Sequence, residues 1–216
     1  MADFGIQVIG DSGYFQIDST TVNLVYIGSG TLTLTTSTTS TATLTVVAET
    51  PLMVINSPDG WAGVINCVQS GNSFTYTFAG SSATGGDFNF RWFLFDRQPN
   101  VSLSGYGLAV WNEAGRLVYS SAYRPLRILG LIDMVVGTTQ GGGVAMPIGS
   151  YGAVPIQPAY GAGPGPGGGA GSRFLNSAVR TQSNLISYHG AQFSVGTNVP
   201  SGGTTKFLVV DLTGYI

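Results

Sequence analysis

Few side chains in this 216-residue sequence suit bond-making chemistry, and they are scattered. His189 is the single histidine and Cys67 the single cysteine. A zinc site of the usual Cys/His kind therefore cannot be built within one chain. A Ser-His-Asp triad would have to use His189, and no Gly-x-Ser-x-Gly elbow accompanies it. His189, between Tyr188 and Gly190, reads as a strand-end residue with a structural role or none. The sharper alternative is a pH-sensitive contact between chains. Cys67 has no intrachain disulfide partner and reads as a small buried apolar residue.

The acidic residues fall where turns need them: Asp11-Ser12-Gly13, Asp59-Gly60, Gly86-Asp87 and Asn112-Glu113-Ala114-Gly115. Short polar side chains and glycine supply turn conformations, so turn chemistry accounts for them. Asp87 and Asp96 are the pair a glycosidase would need, with their separation open. An odd spacing on an unbroken strand points them to opposite faces. The runs Gly141-Gly142-Gly143 and Gly161 to Gly169 lack the Gly-Lys-Ser/Thr of a phosphate loop. They lack the following helix of a dinucleotide site and the strict triplet of collagen as well. No catalytic, cofactor or metal residue is assigned, and the chain reads as non-enzymatic. Three aromatics remain as candidates for an interaction loop: Trp111, Tyr151 and Tyr160. A tyrosine or tryptophan at an exposed tip can stack on a sugar ring. The competing reading packs Tyr151 and Tyr160 against the body or a neighbouring subunit.

The elements that must position these residues are strands. Thr31-Leu32-Thr33-Leu34-Thr35 and Thr41-Ala42-Thr43-Leu44-Thr45-Val46-Val47 alternate with period two, which predicts strands with one solvated or partner-facing side. Thr36–Ser40 is the loop between them. Pro51–Ile55, Trp61–Gln69 and Phe74–Phe78 follow, with a turn at Ser57-Pro58-Asp59-Gly60. Phe88–Asp96 begins by alternating and ends as a continuous apolar run, which predicts burial on both faces at its C-terminal end. Leu131–Val136, Asn184–His189, Ala191–Val195 and Lys206–Leu212 are further strands. Phe174–Asn184 is read as a short helix. Residues 138–172 are rich in glycine and proline, so a long loop is expected there, because ordering glycine is costly.

Two stretches share one plan. Gly5 to Ser19 and Gly107 to Ser121 superpose without insertion at an offset of 102 residues. Gly5 meets Gly107, Val8 meets Val110, Gly13 meets Gly115 and Ser19 meets Ser121. Each reads as a β-hairpin, the second with its turn at Asn112–Gly115. The chain is therefore read as all-β and mostly antiparallel, with two sandwich-like units at 1–100 and 101–216, each opened by this hairpin. The long Gly/Pro-rich loop lies in the second unit.

Charged residues make up 8% of the chain and the formal net charge is −2, while 43% of residues are hydrophobic. A free monomer normally keeps itself soluble with interspersed charge. Much of the surface is therefore expected to be covered in an assembly; the alternative is a monomer with a neutral Thr/Ser/Gly surface. No basic patch points to nucleic acid. No apolar run reaches the length of a membrane span, and Met1–Gly5 does not read as a secretory signal.

The hairpins carry a resemblance. Met1-Ala2-Asp3-Phe4-Gly5-Ile6-Gln7-Val8, with Gly13 and Asp18-Ser19 following, is similar to the opening of tail-tip, baseplate and tail-fibre-associated proteins of long-tailed bacteriophages. Tyr106-Gly107-Leu108-Ala109-Val110 through Tyr119-Ser120-Ser121, and on to Arg124–Ile128, resembles the same family's central segment. Phe207–Tyr215 resembles its C-terminus. About a third of the chain is covered, and the motifs are structural. The resemblance implies a virion structural protein of the distal tail, assembled in the host cytoplasm and present in several copies around the tail axis. Its implied partners are other tail or baseplate proteins, or a host surface glycan. It brings no catalytic residue and no cofactor.

Overall fold

A computed structural model describes residues 7–9, 15–18, 22–35, 40–97, 99, 107–135, 142–157, 160–163, 172–193 and 204–215. Among these residues there is no helix, and the chain is all-β. The strands are β1 (Gln7–Ile9), β2 (Phe15–Asp18), β3 (Leu24–Leu34), β4 (Thr41–Val47), β5 (Leu52–Asn56), β6 (Gly60–Ser70), β7 (Ser73–Ser82) and β8 (Phe88–Arg97). Then come β9 (Ala109–Trp111), β10 (Leu117–Ser120), β11 (Ile128–Val135), β12 (Gly142–Ala145) and β13 (Tyr151–Gln157). The last are β14 (Tyr160–Gly163), β15 (Ser172–Thr181), β16 (Leu185–Phe193) and β17 (Thr204–Asp211).

One sheet runs β11-β17-β13-β5-β8-β3 and the other β12-β16-β15-β6-β7-β4, with β14 added beside β15. Wherever the register is described the pairs are antiparallel. The order reveals a duplication. In the first half, β3-β8-β5 lie in one sheet and β4-β7-β6 in the other. In the second half the same places are held by β11-β17-β13 and β12-β16-β15. The halves meet edge to edge at Ile55 with Ala153 and at Ala62 with Val179.

The hairpins repeat at the level of single pairs. In β1–β2, Gln7 faces Asp18, Val8 faces Ile17 and Ile9 faces Phe15. In β9–β10, Ala109 faces Ser120, Val110 faces Tyr119 and Trp111 faces Leu117. The offset is again 102, and the register shifts at the same step in both. The Asp11–Gly13 turn lies outside the described residues.

The chain divides into two compact units, and the division is interleaved. One holds Met1–Gly28, Glu49–Leu52 and Leu94–Leu126; the other holds Ser29–Ala48, Met53–Phe93 and Arg127–Ile216. The sequence boundary near residue 100 thus falls inside the first unit, which contains both hairpins. There, the start of β3 pairs with the segment before β11: Tyr26 N–H donates to Arg124 O and Leu126 N–H to Leu24 O, at 2.8 and 2.9 Å.

The second unit holds the aromatic core. The rings of Phe78 on β7 and Phe90 on β8 lie 5.1 Å apart, one from each sheet. Burying such rings dominates the energetics of a small core. Along β4 exposure alternates at every step, with Thr41, Thr43 and Thr45 outward, as the period-two pattern requires. β8 alternates at first and is then continuously buried from Phe93 to Asp96.

Three expectations are corrected. Phe174–Asn184 is not a helix: β15 occupies Ser172–Thr181, paired with β16 on one side and β6 on the other. Pairing on both edges, with Ala178 and Val179 fully buried, outweighs its weak strand pattern. Asn184–His189 and Ala191–Val195 are not two strands, since β16 runs through Gly190. Nor is the Gly/Pro-rich stretch a plain loop, for β12, β13 and β14 lie within residues 138–172. Its glycines serve close approach. A Cβ on Gly152 would stand 2.3 Å from Val54 Cγ1 and 2.9 Å from Leu212 Cδ1.

Candidate functional site

The strongest polar constellation among the described residues is in the first unit, where a hairpin is tethered by ions. Its turn follows from local sequence. Gly115 has φ +72°, a left-handed conformation that favours glycine. Its N–H donates to Asn112 O at 2.9 Å, and the Asn112 side-chain oxygen accepts from Arg116 N–H at 2.9 Å. Asn112 N–H donates to Arg116 O at 2.9 Å and closes the hairpin. Leu117 and Val118 are fully buried beneath it, while Trp111 on the facing strand is 52% exposed.

Arg116 leaves this turn and forks onto Glu49, Nη1 to Oε1 at 3.1 Å and Nη2 to Oε2 at 2.6 Å. Arg97 at the end of β8 adds a bond to Glu49 Oε1 at 3.1 Å. The paired forks fix geometry as well as charge. Asp96 holds Glu49 itself in place. Its carboxylate accepts Glu49 N–H at 2.7 Å and Thr50 N–H at 2.6 Å. The side-chain bond to Arg116 holds the Glu49 carboxyl below its usual value, Arg97 adds to this, and partial desolvation opposes it. Glu49 correspondingly raises Arg116. The arrangement can hold a loop, a strand end and a hairpin in register.

Elsewhere, Arg127 pairs with Asp211 at 3.4 Å. Burial pushes the Asp211 carboxyl up, but bonds from Thr213 and the charge of Arg127 outweigh it and hold it below its usual value. Where the halves meet, Asn56 donates to Tyr151 O at 2.7 Å and to Thr181 Oγ1 at 3.1 Å, and Ser57 N–H donates to Thr181 Oγ1 at 2.8 Å. All of these groups are buried, and a buried polar group must find such partners.

The candidate aromatics separate. Trp111 is exposed on the tethered hairpin. Tyr151 is not on an exposed loop: it opens β13, is buried, and its hydroxyl donates to Pro147 O. It follows the packing alternative, being the buried first residue of a strand paired with β17, in register with Asp211. Tyr160 opens β14, facing Leu175 in the register, and its side chain lies outside the described residues. His189 faces Ala178 on β16, and its side chain is also outside them. Cys67 corrects its expectation, being exposed, since the outer end of β6 from Asn66 to Ser70 is uncovered. Asp87 is exposed, and Asp96 is bound to backbone N–H groups. No group of three or more His, Cys, Asp or Glu that could hold a metal occurs among the described residues.

A family model matches residues 80–189, half of the chain. The chain belongs to the DUF6453 family. The family is described as one of unknown function. The DUF6453 match runs from β7 to β16, so it includes Asp96, Arg97, Trp111 and Arg116 and leaves out Glu49. No curated protein and no solved structure matches the chain.

Sequence reasoning missed the tether. Glu49 and Arg116 are 67 residues apart and no local pattern links them.

Proposed function

We propose that this DUF6453 chain is a non-enzymatic structural subunit of the distal tail of a bacteriophage, at the tail tip, baseplate or fibre attachment. In this reading it scaffolds neighbouring subunits in several copies around the tail axis and is assembled in the host cytoplasm. The observation that carries the reading is large apolar side chains in the open on an almost uncharged chain. Ile148 is 89% exposed and Val47 77%, and Val68, Ile128 and Leu129 are more than half exposed. Permanent interfaces resemble cores more than free surfaces, and such side chains suit them. The phage context rests on the resemblance of the two hairpins and the C-terminus. Co-purification of the tagged chain with tail or baseplate proteins from infected cells is the expected outcome; recovery of the chain free of every virion protein would overturn it.

One observation favours a second reading, attachment to a host receptor or glycan. Trp111 stands exposed on a hairpin whose turn is locked and tethered, a rigid aromatic platform of the kind that stacks on sugars. Saturable binding of the purified chain on a glycan array, lost in Trp111→Ala, is what this reading requires.

A further inference from the structure

We propose that the open edge of β11 is a strand-pairing site for a second copy of this chain, β11 against β11 in antiparallel sense. The inference rests on the assembly reading above and names one partner within it. β11 ends the six-stranded sheet, and among the described residues it pairs with β17 alone. Ile128, Leu129 and Leu131 are each about half exposed along it. Folded proteins guard such edges with lysine, proline or cover, because unpaired N–H and C=O groups recruit other strands. The charge in β11 is Asp133, and it is held by Lys206 of β17 at 3.3 Å, on the paired side. The register shift between Ile128 and Gly130 leaves Gly130–Val135 as the regular run.

The occupant follows from how the fold already joins its own halves. Counterpart strands pair antiparallel at β5 with β13 and at β6 with β15. They do so again at Leu24 and Leu126, counterparts at the offset of 102, where Leu126 N–H donates to Leu24 O. A self-paired edge is isologous, so each group meets its counterpart across a two-fold axis. With the axis at Ile132, Leu131 faces Asp133 and no like charges oppose. The other end of the sheet is a poorer candidate, because the outer residues Thr31 and Thr33 of β3, and Thr35 just after it, are polar.

Sedimentation velocity on the full chain across a concentration series tests the pairing. The wild type is expected to dimerise. Leu131→Lys, at an exposed position, should weaken the dimer by about 100-fold or more with an unchanged far-UV spectrum. In a Cys67→Ser background, Ile132→Cys should cross-link two copies under mild oxidation, because facing antiparallel residues lie within disulfide reach. A wild type that stays monomeric, a dimer untouched by Leu131→Lys, or a dimer that Ile132→Cys does not cross-link overturns the proposal. Particle content separates the two readings. A chain monomeric alone but present in purified virions removes the β11 pairing and leaves the tail function; a dimer absent from virions does the reverse.

Discussion

The two halves of the sandwich reach one strand order from unlike sequences. The first half reads openly: β4 alternates threonine with apolar residues, and β5 is the bulky run Leu52-Met53-Val54-Ile55. The second half builds the matching strands β12 (Gly-Gly-Val-Ala) and β13 (Tyr-Gly-Ala-Val-Pro-Ile-Gln) within a glycine- and proline-rich stretch. The difference is complementary. Val54 fills the space that Gly152 leaves empty, and Ile55 lies in register with the small Ala153. Glycine here is a packing residue, and its entropic cost is met by pairing on both edges of β13. A duplicated fold can thus keep its topology while one copy is small where the other is large, as Gly152 and Ala153 are beside Val54 and Ile55.

Substitutions can break that complementarity in graded steps. Gly152→Val should cost the most, about 3 kcal/mol by overpacking, read as a fall in the denaturant midpoint. Adding Val54→Ala should recover part of the loss; no recovery would mean that the two residues do not share the space. Asn56→Leu removes the donor to Tyr151 O and Thr181 Oγ1 where the halves meet, and should cost about 2 kcal/mol. Smaller still is the acid response of the Glu49 tether. Glu49 is held below its usual value of 4.5 when folded, so its contribution is present above that value and fades as the pH falls through the lower folded value. Protection of the β9–β10 amides, relative to their intrinsic exchange rates, should fall below about pH 4.5, and Glu49→Gln should show the lowered protection at neutral pH already. The smallest effect is expected at Gly28, where an added Cβ meets nothing within 4 Å. Gly28→Ala should change stability by no more than about 0.5 kcal/mol, in the stabilising direction, by thermal unfolding.

Strand content was legible wherever side chains alternate. Thr41–Val47 and Phe88–Asp96 declare their faces, and the hairpins declare their kinship by the ungapped offset of 102, which the structure extends to a shared register shift. The Gly/Pro-rich stretch 138–172 was opaque because its strand signal lies in what surrounds each glycine. Gly152 says nothing of Val54 until the two halves meet. Tyr151 looked like a loop aromatic for the same reason, lying between Gly149 and Gly152 while being buried. Cys67 was misplaced because buried is the common state of a free cysteine, whereas the end of β6 extends uncovered. The tether of Glu49 with Arg97 and Arg116 joins residues that only the fold brings together.

Imaging the chain in an intact particle tests the central claim most directly. Virions purified from cells that express a tagged copy, labelled against the tag and viewed by electron microscopy, are predicted to carry the label at the distal end of the tail. Label elsewhere on the particle, or its absence from purified virions, would contradict the account.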